Sequence, residues 1–214
     1  MAKLKDYKFV QAKFESSRRG NEPRIVVIHY TAGRGNSTQL ANFFAKGTRE
    51  ASAHFGVGRD GDVIQMVDTD RNAWHAGESK FRDFRTPVGW QSIGIEVCNT
   101  GWAHLDGKKK EEIFLGEHRH PASNAKRWEQ YPEKQTRAIE KLIADLVAAH
   151  PTLQFVTGHE DIRNNFVVNT KGSKLDPGPA FPWEKINWSG LEMWHFSFKD
   201  KAWYQTPQDE KPTH

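Results

Sequence analysis

The segment Arg24-Ile25-Val26-Val27-Ile28 constrains this chain most, because four successive β-branched residues leave it no polar face. Such a run suits an interior strand covered on both sides, and it argues against a surface strand with one wet face. Further short runs carry strand signals. Ala53-His54-Phe55-Gly56-Val57-Gly58 and Val63-Ile64-Gln65-Met66-Val67 flank the turn Arg59-Asp60-Gly61-Asp62, which predicts a hairpin. Ser92 to Cys98 has a period of two that sets Gly94, Glu96 and Cys98 on one face and Ile93, Ile95 and Val97 on the other. Leu153 to Gly158 reads as a last strand, ending just before His159.

Helical signals alternate with these strands. Ile139, Leu142, Ile143, Leu146 and Val147 recur at helical intervals between Glu133 and His150, and Pro151 marks the stop. An earlier helix carries Leu40, Phe43 and Phe44, with Thr38 placed to cap it and Gly47 to end it. Short strands alternating with helical runs predict an α/β or α+β layer fold. The 214 residues suit one full core. Residues 1–23 are basic and polar and read as a surface arm or extended lead-in, 24–188 as the domain, and 189–214 as an unperiodic C-terminal extension. Residues 100–132, with Lys108-Lys109-Lys110, read as a long loop beside the strand of Glu96.

Several function classes are disfavoured by composition. Lysine plus arginine number 31 against 27 acidic residues, a net charge of +4 that permits an anionic partner without selecting one. No Cys/His finger or RNA-binding aromatic motif accompanies the lysine run, so a basic nucleic-acid-binding protein is a minor alternative. Thr31 to Ser37 lacks the Gly-Lys-Ser/Thr ending of a phosphate loop. The single cysteine, Cys98, excludes an internal disulfide framework and fits a reducing compartment. The first eight residues carry charge where a secretory signal needs an apolar core, and no run is long enough for a membrane span. The expectation is a cytoplasmic protein on synthesis, a reading equally consistent with later release to the cell wall by a signal-independent route.

His29 and His159 each close an apolar run, and Asp176 sits in the turn Lys174-Leu175-Asp176-Pro177-Gly178. Two imidazoles and one carboxylate form a three-ligand set for a catalytic zinc, since they leave the fourth tetrahedral position to water. The residues alone leave a second reading open, in which two polar histidines end strands and Asp176 only opens a turn.

Five motifs in order bear on that choice: Val27-Ile28-His29-Tyr30-Thr31, Ser52-Ala53-His54-Phe55, Ile93-Gly94-Ile95-Glu96, Thr157-Gly158-His159-Glu160-Asp161-Ile162 and Lys174-Leu175-Asp176-Pro177-Gly178-Pro179-Ala180-Phe181. Together they resemble the type 2 N-acetylmuramoyl-L-alanine amidases, a family that includes phage endolysins, bacterial wall-recycling amidases and peptidoglycan recognition proteins. The likeness covers about residues 24–183. It implies a central mostly parallel or mixed sheet flanked by helices, with zinc (Zn2+) held by His29, His159 and Asp176. It also implies Glu96 and Lys174 as the catalytic pair, and cleavage of the amide between N-acetylmuramic acid and L-alanine in peptidoglycan or muropeptides, in an endolysin-like role. Some relatives use cysteine as the third ligand, whereas Asp176 takes that place here. Residue chemistry agrees, since a carboxylate such as Glu96 can carry a proton from water to a leaving amine and an ammonium such as Lys174 can stabilise a developing oxyanion.

Four more residues are candidates for substrate contact or for supporting the ligands: His54, His75, Trp74 and Trp90. Either histidine serves equally as a satisfied structural residue, and either tryptophan as packing. The stretch Glu160 to Ser173, with Asn164 to Asn169 inserted, is longer than the compact loop of recycling amidases. A non-catalytic peptidoglycan-binding protein on the same scaffold is the main alternative, disfavoured because it has no need of a complete ligand set.

Overall fold

The apolar run that the sequence places inside a sheet lies inside one. This computed structural model describes residues 4, 6–82, 84, 86–119, 123–162 and 174–195. Among them the strands are β1 (Lys8–Phe9), β2 (Glu15–Ser17), β3 (Ile25–Tyr30), β4 (Phe55–Val57), β5 (Val63–Gln65), β6 (Arg71–Ala73), β7 (Ser92–Val97), β8 (Ile113–Leu115), β9 (Arg127–Glu129), β10 (Phe155–Gly158) and β11 (Glu192–Trp194). The helices are α1 (Ser37–Lys46), α2 (Glu133–Ala149) and the single turn α3 (His159–Ile162).

Ile25 to Ile28 are fully enclosed because alternate side chains of β3 feed two cores. Val26 and Ile28 pack with Ile139, Leu142, Ile143 and Leu146 of α2. Ile25 and Val27 point the other way, toward Phe81, Val88, Phe155 and Ile162. Each buried aliphatic side chain contributes about 1.5–3 kcal/mol of transfer free energy. The sheet they cover runs β1-β5-β4-β7-β3-β10-β11, parallel throughout except for the β4–β5 hairpin. It is the mixed sheet with flanking helices that the sequence predicts.

Register decides where chemistry can occur. His29 of β3 pairs with Glu96 of β7, and Gly158 at the end of β10 pairs with Ile28 of β3. The carboxyl ends of three adjacent parallel strands thus deliver His29, Glu96 and His159 to one edge, the edge at which open α/β sheets bind ligands.

Four local expectations change. α1 is capped by Asn36, whose side chain accepts from the Gln39 N–H at 2.9 Å while the Gln39 side chain accepts from the Asn36 N–H at 3.0 Å. Thr38 is inside that helix; Gly47 ends it as expected, in the left-handed region at φ 62°. The N-terminal stretch is no surface arm over its described length, since β1 joins the main sheet and β2 pairs with β6. Arg18 is buried there, donating to the carbonyls of Thr69, Trp90 and Ser92 at 2.9–3.0 Å, so that backbone acceptors replace the water a buried guanidinium loses. Within residues 100–132, β8 and β9 pair antiparallel, and β9 carries the buried Trp128. Finally, the C-terminal extension contributes β11 to the sheet, parallel to β10. Its remainder beyond His195, and the inserted Asn164 to Asn169, lie outside the described residues.

Candidate active site

At the carboxyl edge of the sheet, three side chains meet. His29 Nδ1, His159 Nδ1 and Asp176 Oδ2 form a triangle with all three sides 3.0 Å. Donors bound to one tetrahedral zinc at about 2.0–2.1 Å stand about 3.3 Å from each other, so the triangle needs little adjustment to fit that ion. Its chemistry fits as well: two nitrogens and one carboxylate oxygen match a borderline cation, and all three residues are buried. Burial, with the neighbouring His159 adding to it, lowers His29 to about 4 and keeps a lone pair available. Burial alone would raise Asp176, but His159 and His29 more than offset it and hold its carboxyl well below the usual carboxylate range.

The backbone around Asp176 is fixed independently of any ion. The Glu160 N–H donates to the Asp176 carbonyl at 2.9 Å, tying the turn to the start of α3. The Tyr131 hydroxyl, from just before α2, donates to the Pro177 carbonyl at 2.8 Å. Pro177 lies so close to Gly158 that a Cβ there would meet its Cδ at 2.8 Å, which explains glycine at the end of β10.

Glu160, Asp161 and His195 form a second group of ligand-type side chains. The Arg119 guanidinium contacts both of its carboxylates, and His118 bonds Glu160. Burial opposes ionisation of Glu160, yet Arg119 and then His118 bring it down to about 2. The Arg119 guanidinium already offsets charge in that cluster, so it reads as a buried polar network bracing the turn after His159.

Glu96 and Lys174 line the same cleft as His29, His159 and Asp176, a space of about 840 Å³ walled by Phe43, Trp74 and Trp102. Glu96 Oε2 is shielded and makes no hydrogen bond among the described residues. Burial, then the charge of Asp176, raises Glu96 to about 8, while Lys174 and Arg49 pull it back. A carboxyl with that affinity for a proton can hold one near neutral pH and release it again.

The weaker candidates separate. His75 touches the site directly, its Nδ1 3.0 Å from His29 Nε2. His54 is fully buried one ring further back, 5.8 Å from His75 centroid to centroid. Trp74 is 40% exposed on the cleft wall, stacked on Phe14 with its Nε1 donating to Ser16 Oγ at 3.2 Å. Trp90 is not among the cleft-lining residues; it precedes the opposite end of β7, beneath the Arg19 guanidinium. Sequence reasoning missed Tyr131, whose bond to Pro177 has no local signature, and the exposed Phe43 and Trp102, which packing periodicity alone does not single out.

Residues 19–179 match the sequence profile of the N-acetylmuramoyl-L-alanine amidase family. The chain belongs to that family. It is similar to the N-acetylmuramoyl-L-alanine amidase AmiD of Escherichia coli K12, 32% identical over 180 residues that cover 80% of this chain and 54% of that protein. It therefore spans about half the length of this relative. The solved structure of AmiD, a complex with anhydro-N-acetylmuramic acid-L-Ala-D-γ-Glu-L-Lys, superposes with a TM-score of 0.58 at 26% identity over 86% of this chain and 62% of that one. A crystal structure of AmpD gives 0.61 at 22% identity, over 89% and 97% of the two chains. The endolysin amidase LysCS of Clostridium intestinale gives 0.51 at 16% identity, over 87% and 95%, a likeness of fold. Family and fold thus agree with what the five motifs imply.

Proposed function

We propose that this amidase-family chain is a zinc-dependent hydrolase of the amide joining N-acetylmuramic acid to L-alanine. The observation that supports this best is the 3.0 Å triangle of His29, His159 and Asp176 in the wall of a cleft that Glu96 and Lys174 also line. A purely wall-binding protein has no use for three converging ligands beside a carboxyl with a raised proton affinity.

His29, His159 and Asp176 would hold the zinc, which when bound supplies Lewis acidity toward the amide carbonyl and makes water a better nucleophile. Glu96 accepts the proton of the attacking water and delivers it to the nitrogen of the departing L-alanine. That nitrogen leaves as an amine because its proton comes from Glu96, which returns to its starting state. Lys174, in the same cleft, stabilises the oxygen that becomes negative when the carbonyl is attacked. Trp74, already held by Phe14 and Ser16, offers its open side to a sugar ring at little further cost in side-chain entropy.

Substrate form follows from the relatives. The muropeptide bound in the AmiD complex supports a soluble anhydro-muropeptide as substrate, while the endolysin-like role on intact wall has behind it a likeness of fold to LysCS and shorter sequence matches to amidases of Bacillus subtilis. Purified chain is incubated with soluble anhydro-muropeptides and with intact wall, and products are identified by mass spectrometry. Free stem peptide beginning with L-alanine is expected from the native chain and not from Asp176→Ala. Binding to wall with no peptide released, by zinc-loaded native protein, refutes the enzymatic reading.

A further inference from the structure

Behind the ligand triangle lies a second line of contacts that no part of the reaction uses. His29 Nδ1 faces Asp176, and its other nitrogen, Nε2, lies 3.0 Å from His75 Nδ1. His75 Nε2 in turn lies 3.0 Å from Ser92 Oγ. The His75 ring lies against the backbone of Gly94, where an added Cβ would meet ring atoms at 2.4–2.7 Å. Glycine at position 94 is therefore what lets the ring approach β7. Arg18 closes the far end, donating to the Ser92 carbonyl at 2.9 Å.

Neutral imidazole carries one donor and one acceptor, so the run His29–His75–Ser92 has two consistent polarities. In one, His29 Nε2–H donates to His75 Nδ1 and His75 Nε2–H donates to Ser92 Oγ, which frees the His29 Nδ1 lone pair toward Asp176 and His159. In the other, the Ser92 hydroxyl donates inward, His75 Nδ1–H donates to His29, and His29 carries its proton on Nδ1, where no metal can bind. His54 does not share this duty. Its Nδ1 accepts from the Gly94 N–H at 3.0 Å, which leaves Nε2–H to donate to the Arg71 carbonyl at 2.9 Å.

We infer that His75 is a positioning residue for the metal: by accepting from His29 Nε2–H it fixes the tautomer and ring plane in which His29 Nδ1 can act as a ligand. The inference rests on the zinc reading of the site. Loss of such a partner weakens metal affinity about 10–100-fold in other metalloproteins.

Two measurements on the full chain test it. The first is the zinc dissociation constant, by competition with a chromophoric chelator, with folding checked by circular dichroism. His75→Ala is expected to weaken zinc binding about 10–100-fold. His75→Asn, whose Oδ1 can take the place of Nδ1 as acceptor, is expected to recover most of the loss. A role in packing alone predicts instead that Asn and Ala differ little. The second needs no variant: long-range proton–nitrogen NMR of the zinc-loaded native chain is expected to show His29 protonated on Nε2 and His75 on Nε2 with Nδ1 bare. Unchanged zinc affinity in folded His75→Ala, or a proton on His75 Nδ1, overturns the inference and leaves the amidase reading intact. If the native chain takes up no zinc, both fall.

Discussion

Glu96→Gln makes a prediction about stability as well as about catalysis, because the same burial that prepares Glu96 for proton transfer opposes its ionisation. In the unfolded chain this carboxyl titrates near 4.5, and in the folded, metal-free chain it is raised to about 8. A group whose folded value is raised contributes stability that is fully present below pH 4.5 and lost as pH climbs through about 8. At about 1.4 kcal/mol per pH unit, the whole interval corresponds to roughly 5 kcal/mol. The residue is partly open to the cleft, where water screens its charge, so about half of that, 2–3 kcal/mol, is the expected effect. Glutamine keeps the shape of the protonated acid and never ionises. Urea unfolding of the native chain and Glu96→Gln, both held metal-free with a chelator, is to be compared at pH 4.5 and 8.5. The variant is expected to gain about 2–3 kcal/mol on the native chain between those two pH values. An offset that stays constant with pH refutes the reasoning.

Other consequences follow from the same geometry. In the zinc-loaded enzyme the cation favours the Glu96 carboxylate, so kcat/KM should rise with pH about a midpoint between 4.5 and about 8, and Glu96→Gln should lower it at least about 100-fold across the range. Arg119→Ala removes a cation from the buried pair Glu160 and Asp161 and is expected to cost about 3–5 kcal/mol in urea unfolding at pH 7. In the native chain the contribution of Glu160, whose value is lowered to about 2, is present above pH 4.5 and lost only as pH falls toward 2; acid unfolding followed by tryptophan fluorescence checks this. Leu142→Ala, in the face of α2 that covers the sheet, should destabilise by about 2–5 kcal/mol without changing zinc affinity.

Where a physical pattern is local, the sequence was readable. Four β-branched residues announced β3, the period of two in Ser92 to Cys98 separated Glu96 from the core, and Ile139 to Leu146 marked the covering face of α2. The capping pair Asn36 and Gln39 was equally present in the sequence, three residues apart, but Thr38 competed with it on residue type alone. Arg18 was misleading because hydropathy has no means of representing a guanidinium satisfied by three backbone carbonyls. The β8–β9 pair was obscured because no tight-turn signal joins Leu115 to Arg127, whereas the equally short β4 and β5 flank Asp60-Gly61. At the site, the three side chains that converge were readable from five ordered motifs, while the contacts that orient them were not. His29 and His75 are 46 residues apart, and Tyr131 and Pro177 likewise; only the folded sheet brings such pairs together.

The central claim is that one zinc sits between His29, His159 and Asp176. Anomalous diffraction at the zinc edge from crystals of the zinc-loaded chain tests it most directly. The account predicts a single strong peak about 2.0–2.2 Å from His29 Nδ1, His159 Nδ1 and a carboxylate oxygen of Asp176. A fully loaded protein whose peak lies elsewhere, for instance against Glu160, Asp161 and His195, contradicts it.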